Sequence, residues 1–344
     1  MLQRNAARHR HWRASVALIR MFACMAMGTA SAILSVPALA QAWPSKPVRI
    51  IVPFPAGNAG DVTARTLTEP LGQRLGQAII VDNRPGAAGN IGMEAVKKSA
   101  PDGYTLLVTS LSPLVVNPVV MKSLPYDPIK DFQPVARIGW TGLMLVANTG
   151  FPANSVQELV SMAKAAPGKY NYAHIGAGTL SHLTMELFLQ AAGINVVGIP
   201  YKGSSQALTD VVGGQVPLMF DGMTSANVQV KSGKLKGLAV SSPRRSVFAP
   251  TVPTLGESGV AALKDVDVLG WTGMLGPAGM PRDIINRLNA DVNAIVQTQD
   301  IRDRYAGQNL EVFPPGSADD FAAYIRIESE KWKKVGRDAN VQPQ

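Results

Sequence analysis

Apolar residues along this chain fall into short runs separated by longer stretches of helical spacing. Arg49-Ile50-Ile51-Val52 and Ala78-Ile79-Ile80-Val81 are compact runs, the pattern of strands covered on both faces. Between them Ala64, Leu67, Leu71 and Leu75 recur at three- and four-residue intervals, one face of a helix. Pro70 interrupts that face and predicts a kink or a break, because it removes a donor and crowds the preceding turn. Asn83-Arg84-Pro85-Gly86 reads as a turn. Residues 92–99 then read as a helix and 104–108 as a third strand. A β-α-β-α-β order predicts a parallel sheet wrapped by helices.

The middle of the chain repeats the scheme. Residues 143–147 predict a strand and 155–165 a helix with Asn154 as its N-cap. Residues 169–175 are a strand, Gly176-Ala177-Gly178 a turn, and 180–190 a helix. Runs at 196–200, 217–220 and 235–240 predict further strands. The C-terminal part reads as helix-rich. Pro281 suits a first helical position, with Ile285, Leu288, Val292 and Ile295 on one face. Ser317 and Asp320 form a capping-box start, and Phe321, Tyr324, Ile325, Trp332 and Val335 continue a second face. The fold class expected is therefore α/β, each half a mostly parallel sheet flanked by helices.

The N-terminus changes how composition is read. Arg4, Arg8, Arg10, Arg13 and Arg20 precede an apolar stretch over 21–36 and then Ala38-Leu39-Ala40. That order predicts a secretory signal peptide, residues 1–40, cut after Ala40, and hence a periplasmic protein. Cleavage leaves 304 of 344 residues, a length that suggests two domains. The leader carries five of the 33 basic residues and none of the 24 acidic ones, so the mature balance is 28 − 24 = +4 instead of +9. That modest charge removes most of the case for nucleic acid. The one cysteine, Cys24, lies in the leader, which excludes disulfide and thiol chemistry from the mature chain.

One element recurs in each half: a strand, a glycine-bearing turn and a helix start. It occurs at "PFPAGNAGD", ending in Asp61, and at "IGAGTLSH", ending in His182. Such a turn aims backbone N–H groups and the positive end of a helix dipole at one point. Neither copy has the Lys of a phosphate loop. A carboxylate can be held by amides and hydroxyls alone, and the second turn adds Thr179 and Ser181. Ligands favour crevices between domains at the C-terminal ends of parallel strands. Asp61 reads either as a first-turn acid favoured by the dipole or as an organiser of the loop.

At longer range the chain resembles a known family. "WPSKPVRIIVPFPAGNAGDVTARTL", "IIVDNRPGAAGNIGMEAVKKSAPDGYTLL" and "PYKGSSQALTDVVGGQVPLMFD" resemble the Bug proteins, extracytoplasmic solute receptors of tripartite tricarboxylate transporters. "KSGKLKGLAV", "PTVPTLGESG", "WTGMLGPAGMPRDIINRLN" and "FAAYIRIESEKWKKV" extend the likeness over the mature chain. The resemblance implies a type II-like periplasmic-binding-protein fold of two α/β domains joined by a two-segment hinge. The crossings would lie near 140–142 and 241–245, giving a first domain of 43–141 plus 244–344 and a second of 142–243. It also implies a monomer that closes on a small organic acid and delivers it to membrane permease subunits. Presentation to a sensor kinase is the alternative, and a secreted hydrolase a remote one.

Carried onto this chain, the family's binding positions are Phe54, Ala56, Gly57, Asn58, Asp61 and Ser110 on one side. On the other they are Gly176, Gly178, Thr179, Ser181, His182, Tyr201 and Asp221. No cofactor or metal is implied. The family loop is often PAGGGxD; Asn58 and Ala59 replace glycines here. Arg49, Arg65 and Arg84 are candidate carboxylate clamps, with an i,i+4 pair to Asp61 as the plain reading of Arg65. His174 and His182 fit no common zinc spacing, and no G-x-S-x-G elbow is present. Trp271 reads as a core or hinge residue.

Overall fold

The structure is a computed structural model and describes residues 43–343. The expected leader and its cleavage site lie outside the described residues. Within the unit Lys46–Gln344, β1 (Val48–Val52) is buried at every position but Arg49. The strands β2 (Ile79–Asn83) and β3 (Thr105–Ser110) flank it in parallel. The crossovers are α1 (Ala59–Leu75) and α2 (Asn90–Lys97), so the first β-α-β-α-β unit forms as its periodicity predicts. Pro70 does not break α1. Leu67, Leu71 and Leu75 are buried on both sides of it, and that packing outweighs the ~3 kcal/mol a helix-interior proline costs.

The strand predicted at 143–147 is the end of a much longer one. β4 (Phe132–Asn148) runs for 17 residues. Its first part pairs antiparallel with β9 (Leu269–Pro277). From Leu143 onward it pairs instead with β7 (Leu218–Gly222) and β8 (Leu235–Val240), both antiparallel. Beyond β7 lie β5 (Asn171–His174) and β6 (Val197–Pro200), parallel to it. The strand order is β2-β1-β3-β9-β4-β7-β5-β6, so each half carries a parallel triplet and β4 joins them.

The remaining elements are mainly helices. These are α3 (Val156–Ala165), α4 (Leu180–Ala192), α5 (Ser204–Val212), α6 (Met223–Lys231), α7 (Arg282–Val296), α8 (Gln299–Ala306) and α9 (Ala318–Asp338). A short β10 (Glu311–Val312) pairs with β4. Ser155, not Asn154, caps α3, its hydroxyl accepting from Glu158 N. Pro281 is the N-cap of α7 and Arg282 its first helical residue. The capping box of Ser317 and Asp320 is present at α9. Trp271 sits in the core, edge-on to Phe321 and Tyr324 of α9.

Register shows where the two halves meet. Ser110, at the end of β3, pairs with Thr272, which pairs with Gly139 of β4. Gly222, at the end of β7, pairs with Leu143 of β4. Both parallel triplets therefore aim their C-terminal ends at the stretch of β4 where it changes partners. Ser241 binds that crossing together. Its hydroxyl accepts from Leu143 N (2.8 Å) and donates to Val268 O (2.7 Å), while its own N–H donates to Leu143 O. The chain after β8 stays beside β8, with Val240 N donating to Pro253 O and Leu255 N to Val240 O.

Ser241 is fully buried. Ser241→Ala is expected to cost about 1–3 kcal/mol, because it strands a buried amide and a buried carbonyl. Urea unfolding measures this, and a loss below about 0.5 kcal/mol would show that the hydroxyl is dispensable.

Candidate functional site

The turn after β1 is organised by two side chains. Asn58 is the N-cap of α1, and its Oδ1 accepts from Gly60 N (2.8 Å) and Asp61 N (3.2 Å). Asp61 faces back across the turn. Its carboxylate accepts from Gly57 N (2.8 Å), Asn83 Nδ2 (2.9 Å) and Arg65 Nε (3.0 Å). Asn83 also donates to Phe54 O (3.1 Å) and accepts from Arg65 (3.0 Å). Burial alone would raise the Asp61 pKa. The hydrogen bonds from Arg65, Gly57 and Asn83 outweigh that and hold the carboxyl below its ordinary value of 3.8. Asp61 is thus spent on the loop, as one of the two sequence readings held.

Of the arginines considered as clamps, Arg65 is committed to Asp61 and Asn83. Arg49 and Arg84 both pair with Asp82. Among the described residues, the amides of Ala56, Asn58 and Ala59 have no partner. Phe54 packs beside Gly89 and Ser110 closes β3.

The turn after β5 has the same plan with different chemistry. Thr179 caps α4: its Oγ1 accepts weakly from His182 N (3.4 Å) and donates to Gly176 O (2.8 Å). Gly176 N donates to His174 Nδ1 (3.3 Å) and Gly178 N to His182 Nδ1 (3.1 Å). Both glycine amides are therefore taken by imidazoles. The amides of Ala177, Leu180 and Ser181 have no acceptor among the described residues. The Ser181 hydroxyl is buried and donates to Phe220 O in β7, so only its N–H is open.

The two imidazoles stack, with ring centroids 4.6 Å apart. Acceptance at Nδ1 places the His182 proton on Nε2, which lies 3.9 Å from Glu186 Oε1. Burial, reinforced by His174, pushes the His182 pKa down to about 4, and burial lowers His174 as well. Hence the Glu186 contact is not an ion pair at neutral pH. A depressed histidine costs stability when the unfolded chain protonates and the folded one does not. Stability is thus expected to fall as pH drops from about 6.5 to about 4, by about 2–3 kcal/mol from His182. His182→Asn keeps an acceptor for Gly178 and should flatten that part of a urea-unfolding profile. A profile unchanged by the substitution would assign the pH dependence to other groups.

Tyr201 and Asp221 do not project free groups. Tyr201 Oη donates to Asp210 (2.8 Å). Asp221 is buried at the end of β7 and accepts from Ser204 Oγ (2.7 Å) and Ser225 Oγ (2.5 Å), at the starts of α5 and α6. It ties two helix N-termini together much as Asp61 ties the first turn. The sequence pattern does not single out Asn83, Ser204 or Ser225, whose roles rest on tertiary hydrogen bonds. The "GSS" after a short strand was the one available signal, a serine at a helix start. Asn83 had none, because its partners lie far along the chain.

The second turn rests against the first half. A Cβ at Gly178 would lie 2.5 Å from Val120 Cγ1, in the short helix Asn117–Val120 that follows β3, and Leu180 approaches Gly270 of β9. A separate groove of ≈ 810 Å³, lined by Trp140, Arg244, Phe248, Leu269, Arg302 and Phe313 among others, holds neither turn. Among the described residues no cluster could hold a metal, and no helix is long and apolar enough to cross a membrane.

The family profile described as "Tripartite tricarboxylate transporter family receptor" matches residues 63–341. The chain belongs to this family. The receptor is 36% identical over 322 residues to Protein BugT of Bordetella pertussis, covering 93% of this chain and 98% of that one. It is similar to the structure of periplasmic binding protein BugD, with 32% identity and a TM-score of 0.67 over 88% and 100% of the two chains. It is likewise similar to R. palustris Rpa4515 with adipate (30% identity, TM-score 0.71, 88% and 100%). A fourth is MatC from Rhodopseudomonas palustris with bound malate (31% identity, TM-score 0.67, 86% and 100%). The fold is that of the periplasmic binding proteins, and the family is one of periplasmic solute receptors.

Proposed function

We propose that this receptor captures a small carboxylate-containing solute between its two glycine-bearing turns and delivers it to the permease of a tripartite tricarboxylate-type transporter. The observation that carries this reading is the convergence of both parallel triplets on one stretch of β4, with a helix start on each side offering amides that have no partner among the described residues. Carboxylates suit such donors, because a singly charged planar group needs no cationic side chain. Two relatives of about this length carry adipate and malate.

In this reading the half with β5 to β8 swings against the half with β1 to β3. It turns about Gly142–Leu143 and the Ser241–Val268 crossing, and a solute touching both turns favours the closed state. The test is a thermal-shift screen of residues 41–344 against organic acids and amino acids. A ligand at 100 times its Kd adds about 2.7 kcal/mol to folded-state stability. A carboxylate hit that also compacts the protein in small-angle scattering supports capture by closure. Turnover of a bound ester or acid would overturn the receptor role.

A further inference from the structure

The two halves also touch along a line away from both turns. β10 runs beside the first part of β4, with Glu311 opposite Trp140, just before that strand changes partners. The chain that leaves β8 belongs by its packing to the other half. Ala249 and Val252 are buried in one cluster with Met144, Val146 and Val240, and Phe248 packs against it. Asn227 of α6 donates to Phe248 O (3.0 Å). From this segment Arg244 reaches back across. Its Nη2 donates to Glu311 Oε2 (2.9 Å), and its guanidinium lies over the Trp140 ring, 5.1 Å from the centroid. The Ser246 hydroxyl and the Val247 amide face the same carboxylate as further donors.

The Glu311 carboxylate is buried, while Arg244 is more than half exposed. Burial pushes the Glu311 pKa above its ordinary 4.5, although Arg244, Val247 and Ser246 all pull it down. Desolvation thus outweighs attraction, and the carboxylate stays dry only while the segment from Arg244 to Phe248 covers it. The halves are not packed solidly here. The groove of ≈ 810 Å³ opens between them, with Pro243, Val247 and Phe248 on one wall and Arg302, Ala306 and Leu310 on the other. Thr224 Oγ1 of α6 donates across to Gln308 O at a long 3.3 Å.

We propose that Arg244 and Glu311 form a latch across the hinge. The pair holds the second half where its glycine-bearing turn rests against the first half, so solute affinity depends on two residues that lie at neither turn. Without the guanidinium an ionised carboxylate is left buried and uncompensated, and its relief is water, reached by parting the halves. The latch rests on the hinge of the proposed function. Apparent solute affinity falls in proportion to the fraction of molecules still latched.

Pulsed electron spin resonance on solute-free protein, residues 41–344, tests this at pH 8. That chain has no cysteine, so spin labels can be placed on exposed positions of the two halves, Gln73 with Lys164 and Lys98 with Lys231, each changed to cysteine. The wild type is expected to give one main distance for each pair. Arg244→Met should add a second distance, carried by at least about a tenth of the molecules. Arg244→Gln should do the same and serves if Arg244→Met fails to fold. Glu311→Gln removes the charge but keeps an acceptor for Arg244, so it should give the wild-type distances. The double variant Arg244→Met with Glu311→Gln should return to them. Wild-type distances in whichever Arg244 variant folds would overturn the latch. So would a double variant as open as Arg244→Met, because the opening would then come from lost packing on Trp140 and not from the stranded charge. No solute is added, so failure here leaves capture between the turns standing, and a blank solute screen leaves the latch standing.

Discussion

Asp61→Ala is expected to destabilise the protein by about 2–4 kcal/mol and to weaken solute binding by at least about tenfold. The carboxylate is buried and accepts hydrogen bonds from Gly57, Asn83 and Arg65. Alanine strands the Gly57 amide and one Asn83 donor, each costing about 1–3 kcal/mol. Arg65 is more than half exposed, so its share is discounted for solvent screening. Without Asp61 the turn also loses the bond that fixes Gly57, and with it the aim of the neighbouring open amides.

The effect carries a pH signature. The folded-state pKa of Asp61 lies below its ordinary 3.8. Its contribution is therefore complete above about pH 4 and fades as pH falls through the folded value. Urea unfolding of wild type and variant at pH 7 and pH 3 should show a gap that narrows in acid. A gap that stays constant would mean that Asp61 acts through packing and not through its charge.

Gly178→Ala is expected to harm binding more than stability, by about 100-fold in Kd. The residue adopts φ +74°, and its missing Cβ would lie 2.5 Å from Val120 Cγ1. The left-handed conformation costs a non-glycine residue roughly 1–2 kcal/mol. The larger consequence is steric. The turn after β5 can no longer approach the segment after β3, and a solute reaching across both turns loses one of them. Val120→Ala removes the opposing methyls, so the double variant should regain at least about tenfold of the lost affinity. Equal losses in the single and double variants would show that backbone strain, not the approach to Val120, is responsible.

Much of the architecture was open to a reading of periodicity. The strands at β1, β2 and β3, the capping box at α9 and the two glycine-bearing turns follow from local rules about apolar spacing, caps and turn residues. The misses share a cause. Periodicity does not predict β9, because three glycines thin its apolar pattern. Gly273 is required because a Cβ there would meet the Phe321 ring at 2.3 Å, a contact set by a helix some fifty residues away. Periodicity shows only the end of β4, because its first part is interrupted by Gly139 and Gly142 and its continuity depends on pairing with β9. The break expected at Pro70 does not occur, since local propensity counts less than three buried leucines.

The candidate site divides in the same way. Sequence alone determined that the chain carries two anion-ready turns without a cation, one after a strand in each half, and that it resembles a solute-receptor family. It determined which residue types stand there, Asn58 and Asp61 on one turn and Thr179, Ser181 and His182 on the other. Only the tertiary structure decided what those residues do. Asp61, Asp221 and the Ser181 hydroxyl are consumed within the fold, and both loop glycines of the second turn are taken by imidazoles. The physical reason is that a hydrogen-bonding group acts on a ligand only with the capacity its own fold leaves unused, and those partners come from chain segments no local pattern connects.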